Sequence, residues 1–353
     1  MERGSNAGIV TERQGENRQK EQVMARKDRA KVKSEAEIPP CEGTVVKTAG
    51  GSSWVRSDEP GAPAVECRVK GKFRLKGIRT TNPVAVGDRV VVSPAAGGIS
   101  YITEILPRRN YIIRRASNLS KESHILAANV DQALLVVTLR EPETPLVFID
   151  RFLATCEAYG VKADIVINKA DLFDDDCREL AEAMKVLYEG LGYGLLVTSA
   201  ETGEGIERLR EVTKGKLSLM AGNSGVGKSS LINILAPEAN LRTGRISDIH
   251  HTGMHTTTFS EMVTLPYGGY LIDIPGVKGF GMIDFAEEEV DHYFPEIFKA
   301  SASCRYGDCR HTGEPGCHVR ELVDSHHISE SRYNSYLNIL EEIEEGEKYR
   351  KAY

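Results

Sequence analysis

Long apolar runs are missing from this chain. None of its 353 residues lies in a stretch near the ~18 consecutive apolar residues that a membrane-spanning helix needs. The first 33 residues are polar and charged and hold nothing like the apolar segment of a secretory signal. A cytoplasmic protein with no membrane attachment is therefore expected. Cysteine is scarce as well. The seven cysteines, an odd number, stand at 41, 67, 156, 177, 304, 309 and 317, a distribution that argues against a secreted disulfide scaffold. No internal repeat is visible.

What is present is an ordinary globular composition, 41% hydrophobic and 27% charged, so the chain is neither disordered nor fibrous. At ~100 to 200 residues per domain it should hold two or three. The net charge of −6 is split unevenly: residues 1–115 carry 22 Lys and Arg against 13 Asp and Glu, net +9, which leaves net −15 for the remainder. A basic front on an acidic body points to a polyanionic partner for the front.

Four segments follow from texture. Residues 1–40 are polar and close on Pro39-Pro40, which predicts a flexible arm. Residues 41–106 contain short β-prone runs at 44–46, 54–57, 66–75, 88–93 and 99–105, punctuated by Gly and Pro, a pattern that suits a small β-barrel. Within it Arg68, Lys70, Lys72, Arg74 and Lys76 alternate with apolar residues, which in a strand places five cations on one face. Trp54 and Phe73 could stack on bases, but core packing is the better expectation for both. Residues 107–283 alternate apolar strands (133–137, 165–167, 195–197, 217–221, 261–265, 270–274) with helices (148–159, 177–189, 205–212 and one from Lys228), the pattern of a doubly wound α/β sheet. Residues 284–353 hold a Cys/His cluster and a helix whose Tyr333, Tyr336, Leu337, Leu340 and Ile343 form a core stripe.

Gly222-Asn223-Ser224-Gly225-Val226-Gly227-Lys228-Ser229, continued by Ser230, joins a predicted strand to a predicted helix and fits a phosphate-binding loop. Its glycines let backbone N–H groups and the helix N-terminus face phosphate oxygens. Lys228 should reach the β- and γ-phosphates, and Ser229 should ligate Mg²⁺. Asp273-Ile274-Pro275-Gly276 closes a later strand, which suits Asp273 to the Mg²⁺ shell and the Gly276 amide to the γ-phosphate. Asn168-Lys169-Ala170-Asp171 ends another. The Asp171 carboxylate can accept the two N–H groups of a guanine edge, a donor pair that adenine lacks, so the base is read as guanine. Ser199-Ala200 is the companion loop for the guanine oxygen.

Cys304, Cys309, His311 and Cys317 supply three thiolates and an imidazole within 14 residues, enough for one closed, structural, tetrahedral Zn²⁺ site. The Cys309-x-His311 step is tight for a standard finger, and His318 stands as an alternative ligand.

In ordinary small GTPases the guanine motif comes after the phosphate loop, whereas here it comes first. With the β-barrel front, N-K-A-D, S-A, G-N-S-G-V-G-K-S, H-T-T-T at 255–258, D-I-P-G and the Cys/His cluster, the chain from Glu42 onward resembles the family of ribosome small-subunit-dependent GTPase A, circularly permuted GTPases. The resemblance implies an N-terminal OB-fold, a permuted P-loop GTPase domain and a C-terminal helical zinc domain. It also implies a slow GTPase, stimulated by the small ribosomal subunit, that acts in late maturation of that subunit. Thr257 is then the switch threonine for Mg²⁺, and His255 the candidate for positioning the attacking water. Similar proteins often carry Lys or Arg before that histidine, where this chain has Met254. Val277 follows Gly276 in place of a water-orienting glutamine, consistent with slow intrinsic turnover. Because the segment after Gly276 runs straight into the metal-binding region, the γ-phosphate could be coupled to movement of that region.

The expected partners are GTP and GDP, the small subunit and its rRNA, and other assembly factors, with the protein itself a monomer. The basic strand face and the zinc domain are the expected RNA grips. Two rival functions remain from the residues alone, a GTP-binding regulator of a protein or membrane process and a GTP-sensing scaffold with little turnover.

Overall fold

The computed structural model describes residues 39–59, 61–69, 83–94, 99–115, 123–241, 260–273 and 286–351. Its first unit has five strands: β1 (Cys41–Ala49), β2 (Ser52–Ser57), β3 (Val65–Val69), β4 (Arg89–Ser93) and β5 (Ser100–Ile105). β1 pairs antiparallel with both β2 and β4, β2 pairs with β3, and β5 lies parallel to β3 and antiparallel to β4, closing the ring in the order 1-2-3-5-4. This is an OB-fold barrel. Period-two alternation sends Val45, Val55, Cys67, Val90, Val92 and Ile102 inward to fill it. Arg68 stays exposed, opposite Tyr101 of β5 in the ladder, while Lys70, Lys72, Arg74, Lys76 and Phe73 lie outside the described residues.

A hairpin of β6 (Tyr111–Arg115) and β7 (Ser123–Ala128) leads into the second unit. There follow β8 (Gln132–Val137), α1 (Leu146–Ala158), β9 (Ala163–Ile167), α2 (Asp175–Gly190), β10 (Gly194–Val197), α3 (Ile206–Thr213), β11 (Leu217–Ala221), α4 (Lys228–Leu235), β12 (Ser260–Thr264) and β13 (Tyr270–Asp273). The sheet runs β10-β9-β8-β11-β13-β12, parallel except for β12. β8 and β9 are buried along their whole length, as strands covered on both faces must be. Their alternate residues feed two cores, one with Leu135, Ile165, Leu219 and Phe152 of α1, the other with Leu134, Val166, Met220 and Leu231 of α4. β11 sits in the middle of the sheet, with the later strands β13 and β12 on one side and the earlier β8, β9 and β10 on the other. The carboxyl edge at this switch point is where α/β sheets bind ligands.

The barrel meets this sheet edge-on. Lys47 and Thr48 of β1 pair with Glu261 and Ser260 of β12, and the Lys47 ammonium reaches the Glu261 carboxylate at 2.9 Å. Trp54 is half-buried against the neighbouring core with Lys47 over its ring, so it packs at this junction. A buried bidentate pair, Arg108 on Asp88 at 2.6 and 2.7 Å, fixes the exit of the barrel.

The third unit holds a 3₁₀ turn (Glu287–Tyr293), α5 (Pro295–Ser301), α6 (His318–Asp324) and α7 (Glu330–Lys351). The predicted stripe on α7 packs as expected. Tyr336 and Leu340 are buried with Val290, Phe294 and Ile297, and Tyr333, Leu337 and Ile343 lie against them. Ala154 of α1 joins the same core. Beside it, buried Asp150 of α1 accepts hydrogen bonds from Arg332 (2.9 Å) and Ser335 (2.6 Å) of α7 and from Tyr188 of α2 (2.9 Å). Arg332 also donates to Glu296 of α5 at 2.7 and 3.2 Å and lies over the Phe294 ring. No helix among the described residues is long and apolar enough to cross a membrane.

Candidate nucleotide and metal sites

The loop 222–229 leaves the carboxyl end of β11 and turns into α4. Gly222 has φ 149°, and a Cβ there would stand 2.2 Å from the Val136 carbonyl oxygen, so only glycine lets the loop lie this close to β8. Gly225 and Gly227 take φ 85° and 94°, which turns the backbone around a concave nest ahead of the helix. Lys228 is largely buried, and its ammonium donates to the carbonyls of Gly222 and Asn223, both at 2.7 Å. Burial pushes this ammonium below its ordinary pKa, an effect partly offset by the charge of Asp273. Asp273 ends β13, the strand beside β11. Burial pushes its carboxyl up, with Lys228 opposing, and its Oδ1 is enclosed without a hydrogen-bond partner among the described residues. A buried carboxylate oxygen with no donor, facing an ammonium at a phosphate loop, fits a hydrated Mg²⁺.

The guanine motif is bound to this loop directly. Asn168, at the end of β9, donates from Nδ2 to the Val226 carbonyl at 2.9 Å and accepts from the Thr198 hydroxyl at 3.1 Å. Lys169, at φ 64°, sends its ammonium to the Glu141 carbonyl. Asp171 accepts from the Ser199 hydroxyl at 2.5 Å, and that hydroxyl also caps the amides of Glu201 and Thr202, so the Ser199-Ala200 turn and the Asp171 carboxylate form one cluster. Segments far apart in sequence, 168–171, 199–200, 222–230 and 273, thus share one edge of one sheet. His255, Thr257 and Gly276 lie outside the described residues.

Sequence reading missed the loop 139–143, which borders this cluster. Arg140 pairs with Asp174 at 2.5 Å, the Glu141 carbonyl holds Lys169, and Pro142 lies against Gly225. Nothing in its composition marks it, because its role rests on backbone carbonyls and proximity.

In the C-terminal unit, Cys304, Cys309, His311 and Cys317 bring their ligand atoms within 4.8 Å of one another. His311 Nδ1 stands 3.6 Å from Cys304 Sγ and 3.4 Å from Cys317 Sγ. A tetrahedral Zn²⁺ with ordinary Zn–S and Zn–N bonds separates sulfur from nitrogen by about 3.6 Å, so the donor set fits that ion. His311 is fully buried with Nδ1 toward the thiols, and its Nε2, which makes no hydrogen bond among the described residues, lies 3.8 Å from the Asp291 carboxylate. The tight Cys309-x-His311 step is accommodated because His311 adopts φ 61°. His318, the alternative ligand, is half-exposed and pairs with Glu321 at 3.1 Å. The loop is closed by Glu314. Burial alone would raise this carboxyl, but the amides of Arg310, Thr312 and Gly313 that it accepts bring it down to about 2.

Residues 105–283 match the RsgA GTPase family, and residues 42–102 match the RsgA N-terminal domain. The chain belongs to the RsgA GTPase family. It is 56% identical over 312 residues to the small ribosomal subunit biogenesis GTPase RsgA of Bacteroides fragilis, which covers 88% of this chain and all of that one. It is 55% identical over 317 residues to the protein of the same name from Porphyromonas gingivalis, again 88% and 100% covered. Among solved structures it is similar to YjeQ from Thermotoga maritima, with 37% identity and a TM-score of 0.70 over 86% of this chain and 98% of that one. It is similar also to YloQ, described as a circularly permuted GTPase, with 29% identity and a TM-score of 0.67 over 88% and 97%. Fold, site and family agree on a circularly permuted GTPase, a GTP phosphohydrolase.

Proposed function

We propose that this GTPase acts in late maturation of the small ribosomal subunit, hydrolysing GTP slowly alone and faster on that subunit. The observation that carries the nucleotide part is the Asn168–Val226 hydrogen bond, which ties the guanine motif to the phosphate loop in a chain where their order is reversed. In this reading Lys228 neutralises charge on the β- and γ-phosphates, the amides of residues 222–230 cradle them, and the Gly276 amide meets the γ-phosphate. Asp171, Asn168, Lys169 and the Ser199-Ala200 turn hold the guanine. Ser229, Asp273 and Thr257 would hold Mg²⁺, which would supply charge neutralisation at the phosphates. His255 positions the attacking water. Cys304, Cys309, His311 and Cys317 hold one structural Zn²⁺.

The barrel (41–106), the GTPase domain (107–283) and the zinc domain (284–353) follow a polar arm (1–40), and the protein works as a cytoplasmic monomer alongside other assembly factors. Barrel and zinc domain grip rRNA, with Arg68, Lys70, Lys72, Arg74 and Lys76 on the barrel. The names of the relatives at 55–56% identity and the basic front of the chain support the ribosomal reading.

The test is GTP hydrolysis by the purified protein, alone and with purified small or large ribosomal subunits. Stimulation of tenfold or more by small subunits alone is expected, and Lys228→Ala should cut turnover by about a hundredfold or more. A rate unmoved by small subunits refutes the ribosomal role, and full turnover in the variant refutes the site.

A further inference from the structure

Three aromatic side chains stand out as largely exposed among the described residues: Tyr101 at 42%, Phe298 at 49% and Tyr306 at 41%. None belongs to the GTPase unit. Tyr101 is on the barrel, and the other two are in the C-terminal unit, where they are the only large apolar side chains with such exposure among the described residues. Two of the rings have a nitrogen-bearing side chain against them. The Arg305 guanidinium lies over the Tyr306 ring at 5.4 Å, within cation–π range, and the His292 ring meets Phe298 edge-on at 4.6 Å. Lys299 follows Phe298 directly, and neither Lys299 nor Arg305 has a carboxylate partner among the described residues.

Tyr306 is also held in place. It lies between the ligands Cys304 and Cys309, and its carbonyl accepts the Cys309 amide at 3.3 Å. The Arg305 amide donates to the Gly316 carbonyl at 3.1 Å. Gly316 has φ 73°, and a Cβ there would press on the Arg305 side chain at 3.2 Å, so Arg305 and its neighbour are braced between both ends of the metal loop. A side chain carried on a braced backbone loses less conformational entropy when something stacks on it.

An exposed ring on a braced backbone, beside cations without carboxylate partners among the described residues, matches an unpaired nucleobase: the ring takes the base face, and the guanidinium takes the adjoining phosphate. We propose that Tyr306 with Arg305, supported by Phe298 with Lys299, is a stacking site for unpaired RNA bases on the zinc unit. It rests on the RNA-binding part of the functional reading above and adds the residues and the strandedness.

The experiment uses full-length, metal-loaded wild type, Tyr306→Ala, Tyr306→Trp and Phe298→Ala. It measures affinity for a fluorescent single-stranded RNA of mixed sequence, for the same RNA as a duplex, and for small ribosomal subunits, all at one salt concentration. Zinc content and GTP affinity serve as fold controls. Tyr306→Ala should weaken single-strand binding by about tenfold, Phe298→Ala less, and Tyr306→Trp should restore it, with duplex binding, zinc and GTP affinity unchanged. Unchanged single-strand affinity in both alanine variants overturns the stacking site while leaving the ribosomal role intact, and so does an equal loss for duplex and single strand. Wild type that binds neither RNA nor subunit overturns both.

Discussion

At the scale of single residues, the proposed function makes two side chains decisive for binding. Asp171 presents a carboxylate already oriented by Ser199, and a carboxylate can accept from guanine but cannot donate. Asp171→Asn replaces one acceptor by an NH₂ donor, which clashes with the guanine N–H pair and matches a base bearing a second carbonyl. GTP affinity should fall by about a hundredfold or more, and xanthosine triphosphate should become the preferred ligand. An unchanged ratio of the two affinities, read by competition binding, would show that Asp171 does not touch the base. Cys309 is decided by metal chemistry. Cys309→Ser removes one of three thiolates from a set whose Sγ···Nδ1 spacings of 3.4 and 3.6 Å already suit Zn²⁺, so bound zinc should drop below one per chain and the C-terminal unit should melt earlier. Elemental analysis that still finds a full equivalent in the variant removes Cys309 from the ligand set.

At the scale of elements, the barrel and the GTPase sheet share a core, in which Val46 and Trp54 pack with Met262 and Ile272, and a short ladder. Two residue pairs join β1 to β12, reinforced by Lys47–Glu261, and continuing the β12–β13 register by one step sets Glu261 opposite Asp273. The ion pair is partly exposed, so its coupling energy should not exceed about 1 kcal/mol. Lys47→Glu should lower stability to urea, and Lys47→Glu with Glu261→Lys should recover most of the loss. A double variant no better than the sum of the singles shows that the two charges do not interact. Most elements were legible before the structure because their signals are local: period two in the barrel strands, apolar runs closed by loops in the sheet, a stripe on α7. The β6–β7 hairpin was not. In β7, Ile125 to Ala128 are buried on both faces, which erases alternation, and Tyr111–Arg115 is too short to carry a pattern. The nucleotide and zinc residues were readable because phosphate, guanine and zinc each demand particular residue types at short spacing. Asp291 behind His311, Glu141 beside Lys169 and the Arg305–Tyr306 pair were not, since each depends on where the fold brings a separate segment or how it holds a loop.

At the scale of the whole molecule, the question is how the C-terminal unit is attached. Circular permutation routes the chain from the segment proposed to meet the γ-phosphate straight into it, which suggests a unit that swings with the nucleotide. The contacts point the other way. Asp150 of α1 and Arg332 of α7 are both buried, their pair is shared with Glu296, Tyr188 and Ser335, and Ala154 packs in the C-terminal unit's own core. Breaking such a pair leaves buried charge without compensation at a cost of about 3–5 kcal/mol, far more than the weak forces that usually let domains drift. The unit is therefore part of the GTPase body at α1, and a nucleotide signal must act on the connecting segment against that anchor. Arg332→Met strands two carboxylates, at Asp150 and Glu296, and should split thermal unfolding into two steps, with the C-terminal unit melting first while GTP binding persists. Spin labels on α1 and α7 should also keep their separation within about 2 Å between GDP and a GTP analogue in wild type, since packed interfaces hold discrete arrangements. A single transition within a degree or two of wild type in Arg332→Met would show that the pair carries no anchoring energy. A nucleotide-dependent separation of several ångströms would show that the unit swings after all.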